Sequence, residues 1–385
     1  MPTTRKVLIF GAAGRVGLGL ASALLQKNVN VTVADAVEQD RLSAIFSRIL
    51  IDARLSGSDA GEISVHGNFN VLEEQAVVDL LQREQPDVVV NYAIPFTWDA
   101  AKRLPNYSKI SEAGLGAFAA IQVLAPKIIG QALANSGVDT KYVVGNLPDI
   151  TIPIIYGLGR DNPMALPIAG AGNVGLIQSS IKQQIAVEQG LSISEISVAL
   201  VAHHVHWVAP REPGYSNEAP FLLKAIHLNE DITASLGDTR ELMNRSIVSC
   251  YEPGAGFSST TALLAAKLVL SLLDDSGAEH RLHVPAPNGL PGGYPITVKN
   301  GSLSLNLPSQ WSHSDAEHLM KQAHQKDGIE TIGADGTIHF NPKSVAILKR
   351  EIDFTLPQIL APGDLEDVAK EQIRVAQAAI ARSQS

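Results

Sequence analysis

The chain opens with an apolar run, Val7-Leu8-Ile9-Phe10, that stops at Gly11. An Ala/Leu-rich stretch with helical spacing follows from Leu18 to Leu25, and a second apolar run, Val29 to Ala34, ends at Asp35. Short continuous β-branched runs bounded by turn residues read as buried strands, and longer stretches of 3.6-residue periodicity read as helices. On that basis a helix runs from Leu42 to Leu55, a weaker strand from Ile63 to Val65 and a helix from Leu72 to Leu81. Asp87 to Ala93 is a buried strand, Ile110 to Ala134 has helical periodicity, and Tyr142 to Asn146 is a strand closed by Pro148. Strict alternation of strand and helix predicts a parallel sheet covered by helices on both faces.

Beyond about residue 150 the rhythm changes. Helices are expected over Gly175 to Gln189 and Phe221 to Leu228, and a strand from Ser194 to Ala202 leads into His203-His204-Val205-His206. Ser258 to Leu273 is a nearly all-apolar helix that should be deeply buried. His283 to Pro285 and Tyr294 to Leu305 read as strands, the second turning at Asn300-Gly301. Ser314 or Asp315 can cap a helix ending at His324, and Asp364 to Arg382 is an amphipathic terminal helix. The expected fold class is α/β: a parallel-sheet domain over residues 1–150, then an α+β domain over 151–385 that carries substrate, catalysis and subunit contacts.

The first turn carries specific chemistry. Gly11-Ala12-Ala13-Gly14-Arg15-Val16-Gly17 joins strand to helix, and Asp35 lies 24 positions after Gly11 at the end of the next strand. Gly11 permits the tight turn, Gly14 lets backbone N–H groups approach a pyrophosphate, and Gly17 lets the helix pack on the strand. The helix N-terminus favours the phosphates, and an acid at the second strand end can accept the ribose hydroxyls. The combination predicts a Rossmann domain that binds NAD through Gly11, Ala13, Gly14, Arg15, Val16, Gly17 and Asp35, with Tyr92 and Ala93 completing the cofactor site from the neighbouring strand end. The negative charge of Asp35 disfavours a 2′-phosphate, although Arg41 lies nearby. Gly170-Ala171-Gly172-Asn173-Val174-Gly175 spells the same pattern, but the strand after it ends in His203, so a close backbone approach near substrate is the better reading than a second NAD site.

Composition narrows the class. The 385 residues are 45% hydrophobic and 18% charged, enough for two domains and a large core. A net charge of −9 without a Lys/Arg cluster argues against a nucleic-acid surface. The single cysteine, Cys250, excludes an internal disulfide and fits a reducing, cytoplasmic setting; it is expected to be buried and structural. The apolar runs fall short of a membrane span, and the first strand starts too early for a signal peptide.

In open parallel sheets ligands bind beyond the carboxyl ends of the strands. The three histidines are the leading acid–base candidates, because imidazole titrates near neutrality and a C–OH that loses hydride must also lose a proton. Strand alternation would put His204 and His206 on one face and His203 on the other. The alternative is that some of them satisfy buried hydrogen bonds, and a metal at His204 is also open. Asn146 and Asn173 are candidates to position substrate hydroxyls, and Lys102 and Arg103 either clamp an anionic group or sit on a solvated loop. Arg211, Tyr215, Tyr251 and Glu252 read better as surface-loop residues.

The ordered set of segments resembles the superfamily that unites malate and lactate dehydrogenases with the NAD-dependent glycosidases of glycoside hydrolase family four. The opening Ile9 to Gly17 is similar to the malate dehydrogenase start, and Gly145-Asn146-Leu147-Pro148-Asp149 to the family's Thr-Asn-Pro strand end. Ala186 to Ser192, Gly254 to Thr260 and Tyr294 to Gly301 match the helix end, late helix and late hairpin. The resemblance implies a malate-dehydrogenase-like second domain, paired subunits as a homodimer or homotetramer, and His204 as the catalytic histidine. Two departures matter. The helix Val174 to Lys182 lacks the dehydrogenases' Asp and Arg, and Gly172-Asn173 lacks the glycosidases' metal-binding Cys. The expected activity is an NAD-dependent oxidoreductase acting on a secondary hydroxyl of a small polar substrate such as a polyol, a sugar derivative or a hydroxy acid. In that reading His204 is general base, with His203 or His206 assisting. The alternatives are a glycosidase or lyase that oxidises transiently, and a non-catalytic NAD-binding protein.

Overall fold

A computed structural model describes residues 5–57, 59–211, 218–250 and 258–384. Its first half is built on six parallel strands: β1 (Lys6–Phe10), β2 (Asn30–Ala34), β3 (Ile63–His66), β4 (Val88–Asn91), β5 (Lys141–Val144) and β6 (Ala169–Gly170), in the order β3-β2-β1-β4-β5-β6. The chain reverses its direction of growth between β1 and β4, which is where an open sheet forms a ligand crevice. The connecting helices are α1 (Arg15–Leu25), α2 (Gln39–Leu55) and α3 (Glu74–Glu84). After β4 come two single-turn helices, α4 (Trp98–Ala101) and α5 (Tyr107–Ile110), then the long α6 (Ala119–Ser136). The central strands are apolar on both faces because helices cover both, and Val7 to Phe10 and Val88 to Val90 are fully buried.

Sheet and helices continue past residue 150. Pro148 opens α7 (Pro148–Leu158), where its fixed φ and missing N–H suit a first turn. The β-branched run and Pro153 hide this helix from a periodicity reading. Pro153 has no N–H to give the carbonyl of Asp149 four residues earlier, so that oxygen is left for another donor, and the ring of His324 takes it at 2.9 Å.

The second half holds α8 (Asn173–Gln189), β7 (Ile196–Val201), α9 (His204–Val208), β8 (Leu222–His227), β9 (Glu230–Asp231), α10 (Thr239–Ser249) and α11 (Ser258–Leu273). There follow β10 (His280–Pro285), β11 (Gly293–Lys299), β12 (Ser302–Leu305), α12 (His313–Lys326), β13 (Ile329–Ile332), β14 (Ile338–Phe340), α13 (Pro342–Ile352), β15 (Ile359–Leu360) and α14 (Leu365–Gln384). Three small antiparallel sheets, β7-β8-β9, β10-β11-β12 and β13-β14-β15, make this half α+β. Apolar side chains of α11, Ala262, Ala265 and Val269 among them, join the core of α1, β1 and β2. Gly19 allows that approach: a Cβ there would stand 2.7 Å from that of Ala262.

Several sequence expectations are corrected. Phe221 to Leu228, expected as a helix, is the strand β8, because every residue from Leu222 to His227 pairs with β7, Val201 through Ile196. The strand expected from Ser194 to Ala202 ends at Val201, and the histidines after it, read with strand alternation, turn into α9 instead. The cap of α12 is Ser312, whose hydroxyl accepts from the N–H of Asp315, and not Ser314 or Asp315. Cys250 is exposed at the end of α10 rather than buried. By length and composition Leu115–Ser136 does reach a membrane span, yet 78% of that window is buried in the protein. The hairpin turn at Asn300-Gly301 is as expected, with φ of 49° and 70°.

Candidate functional site

The glycine turn has the geometry its sequence demands. Gly11 sits at φ 73°, and a Cβ there would stand 2.4 Å from the backbone nitrogen of Ala93. A Cβ on Gly17 would meet Ala12 and Gly11 backbone atoms at 2.7 Å. Gly14 differs: a Cβ would touch only the Gly11 carbonyl, at 3.3 Å, so its open side is available to a ligand. Asp35 directly follows β2, one carboxylate oxygen accepting the Ala13 N–H at 2.8 Å and the other the Val37 N–H at 3.1 Å. These bonds fix a negative charge beside the turn. Arg15 and Val16 begin α1, and the Arg15 guanidinium pairs with Asp99 at 2.8 Å on the surface. Tyr92 and Ala93 lie against Gly11, with burial raising the Tyr92 phenol.

Two contacts and a short stretch of chain lead from this turn to the histidines. Gly11 abuts Ala93, whose carbonyl accepts the Asn146 amide at 2.5 Å, and Asn146 stands three residues before Asp149. One oxygen of Asp149, Oδ2, is 3.4 Å from Nδ1 of His204. On the other side of that ring Nε2 is 2.9 Å from Oδ2 of Asp327. His203, His324 and Tyr294 complete the surroundings, and all of these side chains are buried.

Each group is placed by a local device. Val201 ends its strand and His203 caps α9, its Nδ1 accepting the Val205 N–H at 3.3 Å. That bond puts the ring proton of neutral His203 on Nε2, which has no partner among the described residues. Asp327 follows α12 directly. Its second oxygen accepts the Leu115 N–H and its carbonyl the Gly116 N–H, each at 3.0 Å. Gly114 and Gly116 lie so close to Asp327 that a Cβ on either would stand 2.1 or 2.6 Å from its carbonyl oxygen. Burial works against a charge on His204, but the two carboxylates, Asp327 foremost, outweigh it and lift the ring to about 10. His204 is therefore an imidazolium at neutral pH. Burial pushes His203 well down, with the His204 charge adding to it. His206 plays a different part from the one expected. Its Nδ1 accepts the His203 N–H and its Nε2 donates to the Ala219 carbonyl, each at 3.0 Å, and burial lowers it to about 4. With both nitrogens on backbone, it braces α9.

Both contacts of His204 are ion pairs without aligned hydrogen bonds, so Nδ1, Nε2, Oδ1 of Asp149 and Oδ2 of Asp327 lack a hydrogen-bond partner among the described residues. Nδ1 is the more loosely held nitrogen. Atoms of Asp149, His203 and His204 capable of holding a metal lie within 4.8 Å of one another. The proton on Nε2 of His203 is the wrong state for a ligand atom, which weakens a metal reading.

Asn173 opens α8 after a turn where a Cβ on Gly170 would stand 2.2 Å from Pro148, so the second glycine run serves close packing beside Asp149. Lys102 and Arg103 are exposed at the end of α4, and Arg103 lines a cleft of about 280 Å³ with Phe96, Gln377 and Ile380. A second cleft, of about 470 Å³, lies between α1 and α11 and holds none of the candidate residues. Arg211 stacks over Trp207 at 4.4 Å, and Tyr215, Tyr251 and Glu252 lie outside the described residues. Asp327 and His324 were missed in the sequence. Asp327 sits 123 positions after His204, and neither belongs to a recognisable motif.

No curated protein matches the chain. A family model, the NAD dependent epimerase/dehydratase family, matches residues 7–115. Among solved structures, the malate dehydrogenase of Cryptosporidium parvum aligns at a TM-score of 0.55 and 16% identity, over 84% of this chain and 97% of its own. The lactate dehydrogenase of Eimeria maxima, solved with NADH and oxamate, aligns at 0.54 and 12% identity, over 85% and 92%. The apo malate dehydrogenase of Picrophilus torridus aligns at 0.53 and 16%, over 96% and 98%. Such coverage in both directions extends well beyond the six-stranded sheet, and the chain thus has the fold of the malate and lactate dehydrogenases, with an N-terminal Rossmann domain and an α+β second half.

Proposed function

We propose that the protein is an NAD(H)-dependent oxidoreductase that interconverts a secondary hydroxyl and a carbonyl, with His204 carrying the proton. The observation that carries this reading is the path from the Gly11 turn by contact to Ala93 and Asn146, and then along three residues of chain to Asp149 in the His204–Asp149–Asp327 cluster. The cofactor fits the residues present: Gly14 is open on the ligand side, α1 begins there, and Asp35 offers a fixed carboxylate. The same carboxylate disfavours a 2′-phosphate, supporting NAD(H) over NADP(H). When bound, the nicotinamide supplies or accepts the hydride.

Asp327 holds Nε2, leaving Nδ1 to face the substrate oxygen. Because the ring is lifted to about 10, it is a proton donor at neutral pH, and reduction of a carbonyl is the favoured direction there. Oxidation of the alcohol needs the neutral ring and speeds up as pH approaches about 10. The test is NADH consumption with small ketones in wild type and in His204→Gln. Loss of at least about a hundredfold in kcat with NADH affinity retained supports the role; unchanged turnover in His204→Gln removes His204 from the chemistry.

A further inference from the structure

Resting on that reading, we infer that the substrate is uncharged and carries oxygen on two adjacent carbons, a vicinal diol in one direction and an α-hydroxyketone in the other, and that 2-hydroxy and 2-oxo acids are rejected. The solved dehydrogenases of this fold are named for malate and lactate, both of which bring a carboxylate next to the reacting carbon. Here the group beside Nδ1 of His204, the nitrogen assigned to the reacting oxygen, is itself a carboxylate. Asp149 and Asp327 flank His204, and the other three histidines of the cluster are held neutral by burial. Two carboxylates against one imidazolium leave a net negative charge, and no Lys or Arg makes an ion pair or hydrogen bond to Asp149 or Asp327 among the described residues.

The unsatisfied atoms state what would fit. Oδ1 of Asp149 can only accept, and Nε2 of His203 carries a proton and can only donate. The Tyr294 hydroxyl, close enough to Asp149 to feel its charge, can do either. All three are at least 98% buried and without partners among the described residues, a costly arrangement unless a ligand supplies what is missing. A hydroxyl group accepts from His203 and donates to Asp149 at the same time. A carboxylate can only accept and cannot satisfy Asp149. The second oxygen, on the next carbon, is the reacting one and accepts from Nδ1 of His204. In reduction the carbonyl carbon gains a hydride from the reduced nicotinamide, which leaves oxidised, and the carbonyl oxygen gains the proton of Nδ1. Two unit charges about 4 Å apart repel by up to about a thousandfold at an effective dielectric constant of about 20, and the His204 imidazolium offsets part of that for a carboxylate beside Asp149.

The experiment compares kcat/KM for dihydroxyacetone and hydroxyacetone with that for pyruvate and oxaloacetate, in wild type, Asp149→Asn and His203→Gln, with NADH. Calorimetry with NADH serves as the folding control for each variant. The neutral ketones are expected to lead by at least a hundredfold, and Asp149→Asn to shrink that lead to tenfold or less with NADH affinity unchanged. Equal or better use of the oxo acids by wild type overturns the inference while leaving the oxidoreductase reading intact. A stoichiometric divalent ion that copurifies with wild type and is lost in Asp149→Asn also overturns it, since the unpartnered atoms would then belong to the metal. Absence of NADH binding instead overturns the cofactor reading. The substrate class is still decided in that case by saturation-transfer NMR with myo-inositol and malate, where contact with malate alone refutes it.

Discussion

Asp327→Asn isolates the contact that gives His204 its charge. The substitution keeps the shape and an oxygen for the Leu115 N–H, and removes the carboxylate 2.9 Å from Nε2. An opposing charge at that range raises a histidine by about one to three units, and Asp327 is the larger of the two carboxylate contributions. The variant should therefore titrate about two units lower than wild type. The consequence for stability has a defined sign. His204 is raised from 6.5 to about 10 in the folded protein, so its contribution is complete below 6.5 and is lost as pH rises through about 10. Over that window the wild type should lose on the order of 5 kcal/mol from this group, at about 1.4 kcal/mol per unit. Asp327→Asn should lose roughly 1–2 kcal/mol, because its shift is smaller. Urea unfolding between pH 6.5 and 10.5, as the difference between the two proteins, cancels the titrations they share. NMR of the His204 ring gives the midpoint directly. The same pH slope in both proteins, or a wild-type ring titrating near 6.5, would refute the account of the cluster.

His283 offers the opposite sign. It is partly buried, accepts the Leu200 N–H through Nε2 at 3.2 Å, and is pushed by desolvation down to about 3. Its stabilisation is present above 6.5 and lost as pH falls towards 3, up to about 5 kcal/mol. His283→Gln keeps an acceptor and should flatten acid unfolding between pH 6 and 3; an unchanged acid limb counts against it. Gly14→Val should abolish NADH binding in calorimetry while changing the melting temperature by only about 2 °C, because the added Cβ meets the protein at one carbonyl alone. Undiminished affinity would place the cofactor elsewhere. Asp35→Ser should raise the affinity for NADPH relative to NADH at least about tenfold by removing the fixed charge, and no change in that ratio would show that Asp35 does not face the ribose.

The N-terminal half of the fold was legible because its signals are local. Continuous apolar runs, glycines at fixed offsets and an acid at the next strand end each report on a few neighbouring residues. The histidines were visible as a cluster, but their division of labour was not. Read as a strand, His204 and His206 share a face; in α9 His206 turns to the backbone of Ala219 while His204 turns to two carboxylates. Those carboxylates come from α7, hidden by Pro153, and from the residue after α12. Long-range convergence of this kind leaves no periodicity in the chain. Phe221 to Leu228 shows the same limit in the fold itself, since pairing with β7 decides its conformation.

The most direct test of the whole account is a calorimetric titration of the wild-type protein with NADH, repeated with Gly14→Val. One site per chain of about micromolar affinity is expected in the wild type and none in the variant. No heat in the wild type, or equal binding in the two proteins, would contradict it.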